Sequence, residues 1–283
     1  MKLSVFMPTI RVPLLMDWYN SLAVACNGID FEVVTCGPFK PPKELLDLDN
    51  FKWVEDFGCP TRAAQIAAIE CVGDIIYHTV DDVLFFGTEI ANEVNRLDLV
   101  NEEIIAMRYK EGQNHTGVKL SPCYWYSDSS YNPQVFKGVD PCWGSCIHFL
   151  MKRDLFIEFG GFDCSFEYLN HATHDLLYRI QNTKPVKYVL SDKEVCSADW
   201  QPETSGDHAP IHNAQTKHDR YLFNGMWQNE MRVGGVELEN WKNVPPVWGR
   251  RAEAIADIEI SKRVVKKTTK RAVKKTTKRK GGK

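Results

Sequence analysis

Residues 58–85, GCPTRAAQIAAIECVGDIIYHTVDDVLF, constrain the fold more than any other part of the chain. Ala63, Ala64, Ile66, Ala67, Ile69 and Cys71 recur at helical period, Gly73 stops that helix, and Ile75-Ile76-Tyr77 opens a buried strand. The strand runs into two adjacent carboxylates, Asp81 and Asp82. A bare carboxylate is costly in a core. Side chains also alternate along a strand, so both acids reach one place only where the strand ends and turns. Paired oxygen ligands at a strand end suit a hard divalent cation such as Mg²⁺ or Mn²⁺. The plainer alternative is a turn and helix cap ahead of Thr88-Glu89-Ile90.

The rest of the body repeats the pattern. Strands are expected at 3–8, 31–35, 51–54, 74–80, 104–107, 147–151 and 186–190, with helices at 14–25, 153–159, 168–181 and 214–230. This alternation predicts an α/β fold whose sheet is mainly parallel and flanked by helices, with ligands outside the carboxyl ends of the strands. Residues 109–140, rich in Gly, Ser, Asn, Pro and aromatics, read as loops or a small excursion, and 199–213 as a surface loop over the site. A domain over 1–250 and a tail over 251–283 are expected.

The 283 residues carry a net charge of −2, which conceals a strong asymmetry. Of 35 basic residues, 12 fall in 262–283, where there is no acid; the remainder holds 23 against 37 acids, a balance of −14. The tail repeats itself, VVKKTTKR then AVKKTTKR, resembles linker-histone tails, and has too little apolar surface to fold alone. Its lysines suit contact with a phosphate backbone or another polyanion; a solubilising tail docking on the acidic body is the alternative. No run of about 18 apolar residues predicts a transmembrane helix. The N-terminus lacks the form of a signal peptide, and nine scattered cysteines without a C-x-x-C pair fit reduced thiols, so a cytoplasmic location is expected.

Several motifs stand in order on this pattern: Pro8-Thr9 after the first strand, Arg62 in TRAAQIAA, Cys71-Val72-Gly73-Asp74 before the acidic strand, Thr79-Val80-Asp81-Asp82, Gly160-Gly161-Phe162-Asp163, and a helix reading His174-Asp175-Leu176-Leu177-Tyr178-Arg179. Over about residues 3–230 the chain resembles the family 2-type glycosyltransferases of GT-A fold. The departures are Thr79 in place of a first Asp, Thr35-Cys36-Gly37-Pro38 in place of an Asp-rich turn, and His174 in place of a Glu.

The resemblance implies transfer of a sugar from a nucleotide-sugar donor, UDP-sugars first, to an acceptor hydroxyl with inversion. Pro8, Thr9, Arg62 and Asp81 would contact the donor, Asp81 and Asp82 would hold Mn²⁺ or Mg²⁺, and Asp175 would be the general base. Gly161, Phe162, Asp163 and His174 would lie toward the acceptor. Among the aromatics Tyr124, Trp125, Tyr126, Tyr131 and Trp143, Trp143 is a candidate for stacking on a sugar, with packing the alternative. His208 and His212, four apart, could add a metal ligand, but Pro210 between them argues against a regular helix and makes solvated loop histidines the default. Asp175 as a plain helix cap is likewise open. The competing function is a binding protein on a degenerate transferase fold, using its basic tail for nucleic acid.

Overall fold

The computed structural model describes residues 1–112, 119–120, 147–199, 208–227 and 232–251. Seven strands form one sheet: β1 (Lys2–Pro8), β2 (Asp30–Gly37), β3 (Phe51–Glu55), β4 (Ile75–His78), β6 (Ile104–Ala106), β9 (Phe149–Lys152) and β10 (Tyr188–Leu190), in the order β10-β6-β9-β4-β1-β2-β3. These are the seven strands the alternation predicts. Every neighbour pair is parallel except β9, which runs antiparallel to both β4 and β6.

Burial on both faces explains the near-continuous apolar runs. In β1, Phe6 points into one core while Leu3, Val5 and Met7 point into the other. The first core is roofed by α3 (Pro60–Ile69), α5 (Arg153–Glu158), α6 (Leu169–Thr183) and α8 (Arg220–Trp227). The second is covered by α1 (Leu15–Ala25), the short α2 (Lys43–Leu46) and α4 (Glu89–Arg96). Pro60 to Ala68 of α3 are all buried, and Ala63, Ala64 and Ala67 let its backbone lie close on the sheet. Gly73 serves the same purpose at the strand entry, since a Cβ there would strike Ser4 Oγ and the Lys2 carbonyl.

A second sheet, β5 (Val83–Phe85), β11 (Cys196–Asp199), β7 (Tyr109–Gly112) and β8 (Lys119–Leu120), forms where loops or a small excursion were expected after residue 108. Its strands are two to four residues long, too short for a periodic signal. Residues 208–214 depart from expectation too: they form α7 (His208–Ala214). Pro210 sits in the first turn of that helix, where a missing N–H costs nothing. Cys26, Cys36, Cys59, Cys71, Cys164 and Cys196 are buried thiols. Among the described residues no helix is long and apolar enough to cross a membrane. Trp143, the other aromatics of 124–131, and the basic tail lie outside the described residues.

Candidate functional site

The carboxyl ends of β1, β2 and β3, the turn after β4, the end of β11 and the start of α7 surround a cleft of about 270 Å³. Pro8, Thr9, Asp81, Asp82 and His208 all line it, so five of the residues singled out from the sequence meet in one place. Arg11, Asp56, His148, Asp199 and Arg251 line it as well.

The acidic turn is built from both sides. Trp18 of α1 donates its indole N–H to the Val80 carbonyl at 3.0 Å, and the Asp199 N–H donates to the Asp82 carbonyl at 2.9 Å. Asp81, buried, collects the loop that follows β1. Its Oδ2 accepts the Thr9 hydroxyl at 3.1 Å and the N–H groups of Ile10 and Arg11 at 2.8 and 2.9 Å. Its Oδ1 accepts the Arg11 guanidinium at 2.5 Å. Arg11 also lies 3.5 Å from Asp82 Oδ2 and 2.6 Å from His208 Nε2. A guanidinium has no acceptor, so His208 Nε2 accepts and the imidazole carries its proton on Nδ1. Burial pushes the Asp82 carboxyl up to about 7, with Arg11 opposing and the charges of Asp81 and Asp199 adding to the rise.

This donor set does not fit the expected Mn²⁺ or Mg²⁺. A carboxylate offers about four lone-pair sites, and Asp81 spends both oxygens on the β1 loop and Arg11. Asp82 and His208 face the same guanidinium. Among the described residues no group of three or more His, Cys, Asp or Glu is placed to hold a metal ion.

The other candidates lie behind the cleft wall. Arg62 is buried and pairs with Asp56 at 3.0 Å, while its guanidinium reaches the Trp241 and Val244 carbonyls and lies over the Trp241 ring. It ties residues 241–244 to the body and holds Asp56, whose Oδ2 also accepts the Gly58 N–H at 2.9 Å, at the cleft wall. Gly160 and Gly161, both at φ +69°, form a left-handed turn that Gln65 clamps by donating to the Gly160 carbonyl and accepting the Phe162 N–H. Phe162 packs among Phe6, His78, Phe149 and Phe156, and Asp163 accepts Ser165 and Arg232.

Asp175 requires the largest correction. It lies in the second turn of α6 rather than at its start, fully buried. Its Oδ2 accepts Arg179 at 2.8 Å and its Oδ1 accepts both Arg232 and the Trp227 indole. Arg179 in turn donates to the Phe159 and Gly161 carbonyls at 2.9 and 2.8 Å. Asp175 is thus the anion at the centre of a network that holds the Gly160–Asp163 turn. His174 is buried beside it, stacked on Tyr178, and burial drives its pKa down to about 3. Neither residue lines the cleft.

Arg11, Asp56, His148, Asp199 and Arg251 line the cleft and were not among the residues singled out from the sequence. Asp56 and Asp199 stand at or just after strand ends, where ligands gather in such sheets, and Arg11 follows the Pro8-Thr9 motif by two positions.

No protein-family model matches the chain, and no curated protein sequence matches it. Among solved structures, TarS of S. aureus is similar with 18% identity and a TM-score of 0.50, over 76% of this chain and 39% of that one. The mannosyltransferase PcManGT of Pyrobaculum calidifontis, determined with GDP-Man and Mn²⁺, is similar with 16% identity and a TM-score of 0.50, over 78% of this chain and 63% of that one. The chain therefore spans less than two thirds of either. The likeness is one of fold, and the mixed, mostly parallel sheet flanked by helices is a GT-A-type arrangement.

Proposed function

We propose that the protein transfers a sugar from a nucleoside diphosphate sugar to an acceptor hydroxyl. The observation that carries this reading is the cleft at the strand ends of a GT-A-type sheet, where a basic group is held between two acids beside the loop after β1. Pro8, Thr9 and Asp56 are the groups for the nucleoside, the last directly after β3. Asp199, on the strand beside Asp82, is our candidate for the base in place of the buried Asp175. In the reaction the acceptor O–H gives its proton to Asp199 and its oxygen bonds to the anomeric carbon. The bond from that carbon to the diphosphate oxygen breaks, and the nucleoside diphosphate leaves. A single displacement of this kind inverts the configuration.

Support comes from the fold, from the cleft, and from the five sequence candidates gathered in it. The test is calorimetry of the full chain with UDP, GDP and their common sugars, UDP-sugars first, repeated on Asp82→Ala. Binding by the wild type that weakens at least tenfold in the variant supports the reading. Absence of binding by every nucleotide sinks it and favours the competing reading, a binding protein that uses its basic segment 262–283. Contact of that segment with a polyanion is a separate proposal. It would be refuted by unchanged, salt-independent DNA affinity after its removal.

A further inference from the structure

The disagreement between the acidic turn and a metal-ion site has a positive counterpart. We propose that Arg11 is the fixed cation of the donor site, standing where a divalent ion would otherwise stand, so that nucleoside diphosphate binding needs no metal. This deepens the sugar-transfer reading and rests on it.

Three observations converge. Asp81 does not merely meet Arg11 by its side chain; it also binds the N–H groups of Ile10 and Arg11 and the Thr9 hydroxyl. The carboxylate thus fixes the backbone from which the guanidinium projects. Asp82 at 3.5 Å and His208 at 2.6 Å then flank that guanidinium from the β4–β5 turn and from α7. Two segments far from Arg11 in the chain, 70 and 197 positions away, are thereby spent on orienting one arginine at the cleft wall. An arginine tucked aside until a metal displaced it would not need its own backbone bound by the same acid. Moving the side chain away would still leave Asp81 Oδ2 filled by three donors.

The charge is also sufficient. Arg251 lines the same cleft, its guanidinium over the Trp248 ring. Two guanidinium groups carry the charge of one divalent ion, and the five-donor fork of each suits phosphate oxygens.

The test is calorimetric titration of the full-length protein with UDP and with GDP, in EDTA and in Mn²⁺, followed by Arg11→Met and Arg11→Lys. The expected result is wild-type affinity equal within about twofold in the two buffers, a loss of tenfold or more in Arg11→Met, and partial recovery in Arg11→Lys. Methylguanidinium added to Arg11→Met should restore part of the affinity. Wild-type binding that vanishes in EDTA and returns with Mn²⁺ overturns the proposal while leaving the transferase reading intact. So does Arg11→Met binding as tightly as the wild type. The chelator comparison uses no variant, so misfolding cannot obscure it. No binding of UDP or GDP in either buffer overturns the transferase reading itself and this inference with it.

Discussion

Replacing Asp175 with asparagine separates a structural anion from a catalytic one. The side chain is fully buried and its two oxygens accept Arg179, Arg232 and the Trp227 indole. Burial raises its pKa, and the two guanidinium groups pull against that rise. Asparagine keeps the volume and one acceptor oxygen but removes the charge. Arg179, 1% exposed along its side chain, would then be a buried cation without a counter-ion, although its bonds to the Phe159 and Gly161 carbonyls remain. Breaking one side of a buried pair costs about 3–5 kcal/mol, and the retained amide oxygen favours the low end, about 3 kcal/mol. At roughly 2–4 °C per kcal/mol for a domain of this size, Tm should fall by roughly 6–12 °C. Arg232, 23% exposed, is partly screened, so Arg232→Met alone should cost less. The double variant should cost less than the two singles combined, because they share one network. Thermal unfolding followed by circular dichroism, alongside sugar transfer measured well below Tm, decides the matter. Unchanged Tm with transfer abolished would refute the structural assignment and return Asp175 to the role of base.

Asp199→Asn, at a half-buried position on the cleft, should show the converse, with a smaller fall in Tm than Asp175→Asn and transfer lost while nucleotide binding persists. Gly161→Ala places a Cβ against Gln65 and the Phe156 ring at φ +69°, and should cost about 1–3 kcal/mol in urea unfolding; a cost near zero would mean the turn is not held as described. Gly37→Ala would drive a Cβ into the Thr9 carbonyl and displace the loop that carries Arg11, so UDP affinity should fall more than stability does. His78 and His148 are buried and neutral, with burial lowering their pKa values to about 4 and about 3. An unfolded chain binds these protons near pH 6.5, so the stability they contribute is present above that pH and lost as pH falls toward 4. Urea midpoints measured from pH 7.5 to 4 should drop over that window, and a flat profile would contradict the buried neutral histidines.

The central strands of the main sheet, β1, β4, β6 and β9, were legible because they are buried on both faces and written as apolar runs, and the edge strands β3 and β10 because aromatic and β-branched residues cluster in them. The sheet formed by β5, β7, β8 and β11 was not, since a strand of two to four residues has no period to read. The site was legible in part for a related reason. Pro8, Thr9, Asp81 and Asp82 belong to strand ends, and the order of strands brings such ends together whatever else the chain does. Asp175 and Arg62 show the limit: an acid or an arginine in a helix looks the same in sequence whether it faces a cleft or a buried partner. The partner of Asp175 was nonetheless within reach, since Arg179 stands four residues on, the spacing of neighbours along one helix face. Arg232, 57 positions away, was not. Asp81 carries the lesson furthest. Its position at a strand end marks it as a ligand, but only the three donors on its Oδ2 reveal that the β1 loop is what it binds. In this chain the acidic pair at the strand end faces a guanidinium supplied by the β1 loop, a partner that no strand pattern records.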